Sequence, residues 1–262
     1  MSELVDRLQA SGRYVLTARE AQRDTGLRRD ALQKAARRLV LADRLCSPRE
    51  GFFVIVPLEY QSAGSPPPAW FVHDLMAFVG QPYYVGLLSA AAIHGAAHQQ
   101  PQEFQIVTSA PLPMMLAGRA RLRFVVKRGV KATPTESRKT DTGAMAVSTP
   151  EATALDLVRY PKASGGLGNV ATVLSELVER LDGPRLAKVA RSEGERATAQ
   201  RLGYLLDRIG GGGVSGELAR WIGKSRARVV PLRPTRVIRG LPKDEKWRVL
   251  VNAEVEPDEG TG

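Results

Sequence analysis

The chain has 262 residues, of which 43% are hydrophobic, so it holds enough apolar material for one large domain or two modest ones. Its 38 Lys and Arg residues against 27 Asp and Glu residues leave a net charge of +11, and such a self-repelling excess predicts a polyanionic partner, most commonly nucleic acid. The single cysteine, Cys46, excludes an internal disulfide and a cysteine-rich zinc site. No apolar run approaches the roughly 20 residues of a membrane span. The sequence therefore predicts a cytoplasmic protein without a membrane partner.

The N-terminal part of the chain carries the pattern of a winged helix-turn-helix. After a first short helix, a second is predicted to begin at Thr17, whose hydroxyl can cap the first turn together with Glu20. Gly26 is expected to end that helix, and a third helix follows at once over about 28–41. Two β-type segments then flank a turn at 47–51 and form the wing. Three helices followed by a hairpin indicate this DNA-binding arrangement.

The third predicted helix has one face for a core and one for DNA. Leu32, Ala36 and Leu39 recur at helical spacing, so we expect them to be buried. On the other face, Arg can make two hydrogen bonds to guanine and Gln can make two to adenine. A solvated charged face is the alternative for such a pattern. The candidate DNA-binding residues of this helix and of the wing are Arg28, Arg29, Gln33, Lys34, Arg37, Arg38, Arg44 and Arg49.

The composition divides the rest of the chain into a linker and a second body. Three consecutive prolines at 66–68 cannot continue a helix or a central strand, so 61–68 is predicted to be a linker. We therefore expect an α+β protein with a winged helix-turn-helix at 1–60 and a larger mixed α/β domain at 69–262 that ends in a basic segment. The predicted elements of the second body are a helix at 70–79, a small-residue helix at 83–95, strands at 104–108, 122–127 and 145–147, a helix from 150 to the stop at Pro161, helices at 169–181, 184–192 and 195–209, and a linker or helix stop at 210–213.

Positive charge gathers in two segments of this second body. No Lys or Arg lies between residues 61 and 118, whereas 119–140 and 220–248 are rich in both. Separated basic clusters are typical of a surface that follows a polyanion. The residues predicted to form a basic surface on the second domain are Arg119, Arg121, Arg123, Lys127 and Arg128.

No catalytic residue, metal or cofactor is predicted. His94 and His98 are four residues apart, as zinc ligands on a helix can be, but Gly95 occupies the place of the metalloprotease glutamate and no third ligand lies nearby. The glycine-rich stretch 165–169 lacks the Gly-Lys-Ser/Thr ending of a phosphate-binding loop and is expected to be a flexible loop.

Two other functions remain open at this point. A metal-dependent nuclease would explain the charge, but it needs carboxylates that converge on Mg²⁺, and Asp74 and Glu103 are the only acidic residues from 61 to 135. A winged helix can also serve as a protein-interaction module, in which case the basic clusters would meet an acidic partner.

Several stretches of the chain, taken in order, resemble the AbiEi family of type IV antitoxins. They are the short N-terminal winged helix, YYVGLLSAAAIHGAAHQQPQEFQIVT from Tyr83, VSTPEATALDLVRYP from Val147 with its glycine-rich sequel, and AQRLGYLLDRIG from Ala199. The resemblance spans about 4–238, and it brings no catalytic residues with it.

The resemblance implies a DNA-binding antitoxin of a toxin-antitoxin system for phage defence. Such a protein is a transcriptional repressor of its own promoter, which it binds as double-stranded DNA through the winged helix. It also antagonises a nucleotidyltransferase toxin without forming a stable complex. Apart from the resemblance, the strongly basic second body makes an RNA that such a toxin would modify a further candidate partner. The DNA-binding role carries over onto the third helix, at Arg29, Gln33, Lys34 and Arg37.

Overall fold

The chain forms an α+β protein, as predicted, and its computed structural model describes residues 1–96, 101–225, 227–234 and 240–255. None of the described helices is long and apolar enough to cross a membrane. The chain divides into two compact units. The first unit comprises Met1–Val85, Gln102–Val130 and Ser137–Ala146, and the second comprises Gly86–Pro101, Lys131–Glu136 and Val147–Gly262.

The start of the first unit has the element order of a winged helix-turn-helix. Its elements are α1 (Ser2–Ala10), β1 (Val15–Thr17), α2 (Ala18–Thr25), α3 (Arg29–Leu41), β2 (Leu45–Arg49) and β3 (Phe52–Ile55). The strands form an antiparallel sheet in the order β1-β3-β2. A core that includes Leu4, Val5, Leu16, Leu32 and Ile55 holds the three helices and the sheet together.

The second helix begins and ends as its sequence predicts. The Thr17 hydroxyl accepts a hydrogen bond from the Glu20 backbone N–H at 3.2 Å, and the Glu20 carboxylate accepts one from the Thr17 N–H at 2.8 Å. At the other end, Gly26 has φ +68°, a left-handed conformation that favours glycine. Only three residues then separate α2 from α3, which fixes the helix-turn-helix.

The segment predicted as a linker at 61–68 belongs to the first unit instead. A 3₁₀ helix covers Leu58–Ala63, and Ser65 is buried. The Arg119 N–H donates a hydrogen bond to the Ala63 carbonyl oxygen at 2.8 Å. The prolines exclude an α-helix here, but they allow tight turns that pack against the rest of the first unit. Residues 1–60 are therefore not followed by an exposed linker.

A second sheet completes the first unit and extends past its boundary. Its elements are a 3₁₀ turn (Pro68–Trp70), α4 (Val72–Val79), β4 (Tyr83–Val85), β5 (Phe104–Thr108), β6 (Met115–Ala117), β7 (Ala120–Val126), β8 (Thr135–Thr140) and β9 (Gly143–Ser148). The strand order is β6-β7-β5-β4-β9-β8, and β5 pairs with β7 in parallel. The edge strand β6 lies beside β2 of the wing, so this sheet supports the winged region.

The prediction of one helix over 83–95 is wrong for its first residues. Tyr83 pairs with Thr108 and Val85 with Ile106 in an antiparallel ladder, so this stretch is a strand. The helix begins only after Gly86. Aromatic and β-branched residues favour a strand, and the pairing with β5 decides between the two.

The second unit is mainly helical. Its elements are α5 (Leu87–Ile93), α6 (Pro150–Arg159), α7 (Leu167–Leu177), α8 (Gly183–Glu193), α9 (Arg196–Arg208), α10 (Gly212–Lys224), β10 (Val230–Pro231), β11 (Lys243–Asp244) and β12 (Val249–Leu250). Residues 151–158 of α6 are all buried, and α5, α7, α8 and α9 pack around this helix. The sequence did not predict α10, whose first turn contains Gly212 and Gly213; its buried Leu218 and Ile222 offset their poor helix propensity.

His94, one of the two histidines weighed as metal ligands, is a buried residue of the second unit. Its Nε2 lies 2.7 Å from the Ser148 carbonyl oxygen, and its Nδ1 lies 3.6 Å from a Glu136 carboxylate oxygen. His98 lies outside the described residues. One ring nitrogen of His94 is therefore hydrogen-bonded to a backbone carbonyl, and a carboxylate lies near the other.

Candidate nucleic-acid interface

Helix α3 presents most of its predicted DNA-facing residues to solvent. Leu32 and Ala36 are buried as expected, whereas Leu39 is half-buried. The candidates Arg28, Arg29, Gln33, Lys34, Arg37 and Arg38 are all exposed. The apolar positions thus anchor the helix by one side and leave its polar side accessible.

The exposed residues of α3 form two flanks, one that lines a groove and one that lies outside it. One flank, formed by Arg29, Gln33 and Arg37 at intervals of four residues, lines a groove of about 1040 Å³ in the first unit. Lys34 and Arg38 are exposed but do not line this groove. Two arginines that can read guanine and one glutamine that can read adenine therefore share one line along the helix.

The groove has a lining of mixed chemistry. Helix α3 and the wing supply cationic and polar groups, among them Arg37 and Arg49. The end of α4 and the segment 113–115 supply an apolar part that includes Phe78 and Met114. Nothing in the sequence singled out this apolar part, because it depends on β6 lying beside β2.

The wing carries one accessible arginine and one that is already paired. The turn of the hairpin is fixed by Gly51, with φ +80°, and by the Ser47 hydroxyl, which donates to the Phe52 carbonyl oxygen at 3.0 Å. Arg49 is exposed beside this turn. Arg44 is half-buried and forms an ion pair with Asp6 of α1, so its predicted contact with phosphate would compete with this pair.

The basic residues of segment 119–128 differ in what they can contact. Arg119, Arg121 and Arg128 are exposed. The Arg123 guanidinium lies 2.9 Å from the Glu103 carboxylate in a partly exposed ion pair. These residues belong to the first unit, not to the second domain as predicted.

Lys127 corrects the predicted basic surface. The residue is only 3% exposed, and its Nζ lies 5.7 Å from the centre of the Tyr84 ring. The backbone explains this inward position, since the Lys127 N–H bonds to the Thr108 carbonyl oxygen at the end of β5 and holds the residue against the sheet. A cation over an aromatic face stabilises the first unit and is not available to a polyanion.

In the second basic segment, 220–248, Arg220, Lys243 and Lys246 form ion pairs, and Arg248 is hydrogen-bonded to the backbone. Lys246 Nζ lies 2.6 Å from the Asp207 carboxylate, and the Arg248 guanidinium donates to the Ala227 carbonyl oxygen at 2.7 Å. Arg226, Arg236 and Arg239 lie outside the described side chains. Over the whole sequence, the first unit holds 18 of the 38 basic residues against 11 of the 27 acidic ones, so most of the net charge belongs to the unit that contains α3.

Two comparisons relate this chain to known proteins. Residues 84–208 match the model of the family described as AbiEi antitoxin C-terminal domain. The crystal structure of the RV2827C protein from Mycobacterium tuberculosis is similar over 95% of this chain and 90% of that chain, with a TM-score of 0.68 and 18% sequence identity. At that identity the likeness is one of fold. A search of curated proteins finds no match.

Proposed function

We propose that this chain is an antitoxin that binds double-stranded DNA at its own promoter and represses it. Residues 84–208 match the AbiEi antitoxin C-terminal domain, as the sequence motifs predicted. The observation that carries the proposal is the line of Arg29, Gln33 and Arg37 along the exposed side of α3, next to the wing. Arginine and glutamine each form bidentate hydrogen bonds with one purine edge in the major groove.

Phosphate contacts fix the register of such a complex without reading its sequence. Arg49 on the wing and Arg119, Arg121 and Arg128 in the same unit are exposed cations with this capacity. The excess of positive charge in the first unit supports the same role, since each phosphate that is neutralised releases condensed counterions.

The antitoxin activity itself is proposed for the second unit, which holds most of the matched family domain. We propose that it antagonises a nucleotidyltransferase toxin without forming a stable complex, as the resemblance implies. Growth of cells that express the toxin from the adjacent gene, with and without the full chain, tests this part. Failure of the full chain to rescue growth would refute it independently of DNA binding.

A titration with DNA tests the first part. The full chain is titrated against a duplex from its own promoter and a random duplex of equal length, at several salt concentrations. Promoter binding should be tighter, and log Kd should rise linearly with log salt. Gln33→Ala should lose discrimination by about tenfold, since a bidentate base contact is worth about 1–3 kcal/mol. Lys34→Ala removes a candidate cation on the flank outside the groove, so it should weaken promoter and random DNA about equally and leave the discrimination between them unchanged. Equal affinity of the wild-type chain for both duplexes would refute sequence-specific binding.

A further inference from the structure

The groove beside α3 concentrates exposed apolar side chains. Eight large hydrophobic residues are exposed among the residues that the structure describes, and three of them, Val40, Phe78 and Met114, line this one groove. Val79, Pro113 and Met115 extend the same apolar lining. Apolar side chains gathered at one accessible site mark a surface that a partner covers.

Duplex DNA leaves this apolar lining without a partner. The outer surface of a duplex consists of charged phosphates and sugars, and thymine methyl groups are the main apolar groups of its major groove. Packing phosphates against Phe78 and Met114 would remove water from charged oxygens with no compensating hydrogen bond. The polar side of the groove, with Arg29, Gln33 and Arg37, suits DNA. The apolar side of the same groove does not, and it requires an apolar surface on the partner.

We infer that this groove is the docking site of an amphipathic helical segment of a protein partner, with one apolar face and acidic residues along its edge. The apolar face packs on Phe78 and Met114, and the acidic edge meets Arg29, Arg37 and Arg49. This is the chemistry of an amphipathic helix in a groove, with complementary charge at the rim.

The dimensions of the site agree with this occupant. The groove follows α3 from Arg29 to Val40, a rise of about 16 Å, or roughly three helical turns. A partner helix of about 11 residues matches that length. Its carboxylates would meet two arginines of α3 that lie eight residues apart on the same line, Arg29 and Arg37. The exposed Glu50 carboxylate lies 3.8 Å from the Arg29 guanidinium, and the carboxylates of the partner would have to displace it.

Docking in the groove would control the DNA-binding face. The partner covers Arg29, Gln33 and Arg37, so the acidic segment and DNA cannot occupy α3 together. This regulatory consequence rests on the proposed DNA-binding function, whereas docking itself does not. The partner would therefore act as an inducer that releases the promoter.

A synthetic peptide tests the docking site on the full chain. The probe is a labelled helical peptide of about 16 residues, long enough to hold a helix, with leucines along one face and glutamates on the adjoining positions. A permuted peptide of the same composition has no apolar face. Fluorescence anisotropy should give a Kd of about 10 μM for the amphipathic peptide, and the permuted peptide should bind at least about tenfold more weakly.

Two variants locate the peptide. Met114→Glu places a negative charge in the apolar lining and should raise the peptide Kd by about tenfold. Leu116→Glu is the matched control, because Leu116 is even more exposed than Met114, lies two residues away on strand β6 and does not line the groove. It should leave the Kd within about twofold. Equal weakening by both variants, or no binding of the peptide by the wild-type chain, overturns the proposal.

The same samples separate this proposal from the DNA-binding one. The amphipathic peptide should displace promoter DNA, and Met114→Glu should resist the displacement. If Met114→Glu weakens DNA while the peptide fails to bind, the groove serves DNA and the docking proposal is refuted. If the peptide binds but no DNA does, docking stands and the proposed repressor function fails.

Discussion

Gly118 lies so close to Ala63 that a Cβ atom at position 118 would stand 2.3 Å from the Ala63 carbonyl oxygen. This approach joins the β6–β7 turn to the 3₁₀ helix that follows the winged region. It places the end of the winged region and the second sheet in one packed body, where composition predicted a free linker.

The first prediction follows from this approach. Gly118→Ala should lower the free energy of unfolding by about 2–4 kcal/mol, since the new methyl group meets backbone atoms that cannot move aside. Gly129→Ala is the matched control, because Gly129 also has a positive φ but its Cβ would find open space. The control should cost only the backbone strain of about 1–2 kcal/mol. Denaturant unfolding of both variants measures the difference, and equal costs would show that the contact does not matter.

Local signals in the sequence predicted the bounds and caps of the second helix well. The capping box of Thr17 and Glu20 and the left-handed Gly26 are decided within a few residues, and the structure contains both. The helical spacing of apolar residues in α3 likewise distinguished the buried Leu32 from the exposed Gln33. These features need no knowledge of the rest of the chain.

Pairing between distant segments accounts for what the sequence did not predict. The strand at Tyr83 forms because it pairs with β5, more than 20 residues away. Lys127 belongs to a run of basic residues, yet its backbone hydrogen bond to the end of β5 places its side chain inside the first unit, over the Tyr84 ring. The apolar lining around Met114 depends on β6 lying beside β2. Composition and spacing report none of these long-range contacts.

A second prediction concerns the packing of Trp247 on α9. A Cβ at Gly203 would stand 2.1 Å from the fully buried ring of Trp247. Gly203→Ala should therefore destabilise the second unit by about 1–3 kcal/mol through overpacking, or displace the ring. Gly216→Ala in α10 is the control, because its Cβ meets nothing within 4 Å. The control should be neutral or stabilise the helix by up to about 1 kcal/mol. Thermal melts and tryptophan fluorescence would report both effects, and an unchanged Gly203→Ala melt would contradict this packing.

A third prediction links Asp207 to the dependence of stability on pH. Burial alone would raise the pKa of Asp207, but hydrogen bonds from Lys246, Ser215 and Trp247 outweigh it and hold the pKa below its ordinary value of 3.8. A lowered pKa stabilises the folded state above the ordinary value, and this stability is lost as pH falls through the folded-state pKa.

Asp207→Asn should therefore lower stability at pH 7 by about 1–2 kcal/mol, because it removes charge-assisted hydrogen bonds. The difference from wild type should stay constant down to about pH 5 and shrink below about pH 4, as the carboxylate takes up its proton. Urea unfolding at several pH values measures it. Ser215→Ala, which keeps the carboxylate, should retain more of the pH dependence. A difference that grows toward low pH would contradict a lowered pKa.

The last prediction distinguishes the two arginines of the wing. Arg44 is half-buried and paired with Asp6, so it ties the hairpin to α1. Arg49 is exposed and forms no ion pair with the residues that the structure describes. Arg44→Ala should thus lower the melting temperature by a few degrees, corresponding to about 1 kcal/mol for a partly exposed pair, and Asp6→Ala should have the same effect.

Arg49→Ala should leave the melting temperature unchanged and weaken promoter and random DNA about equally. The slope of log Kd against log salt should fall by about one, as expected for the loss of a single phosphate contact. Arg44→Ala should change this slope little, since its charge is already compensated by Asp6. Differential scanning fluorimetry and salt-dependent DNA titrations of the two variants provide the comparison. If Arg44→Ala reduces the salt slope as much as Arg49→Ala does, the ion pair with Asp6 opens on DNA and both arginines contact phosphate.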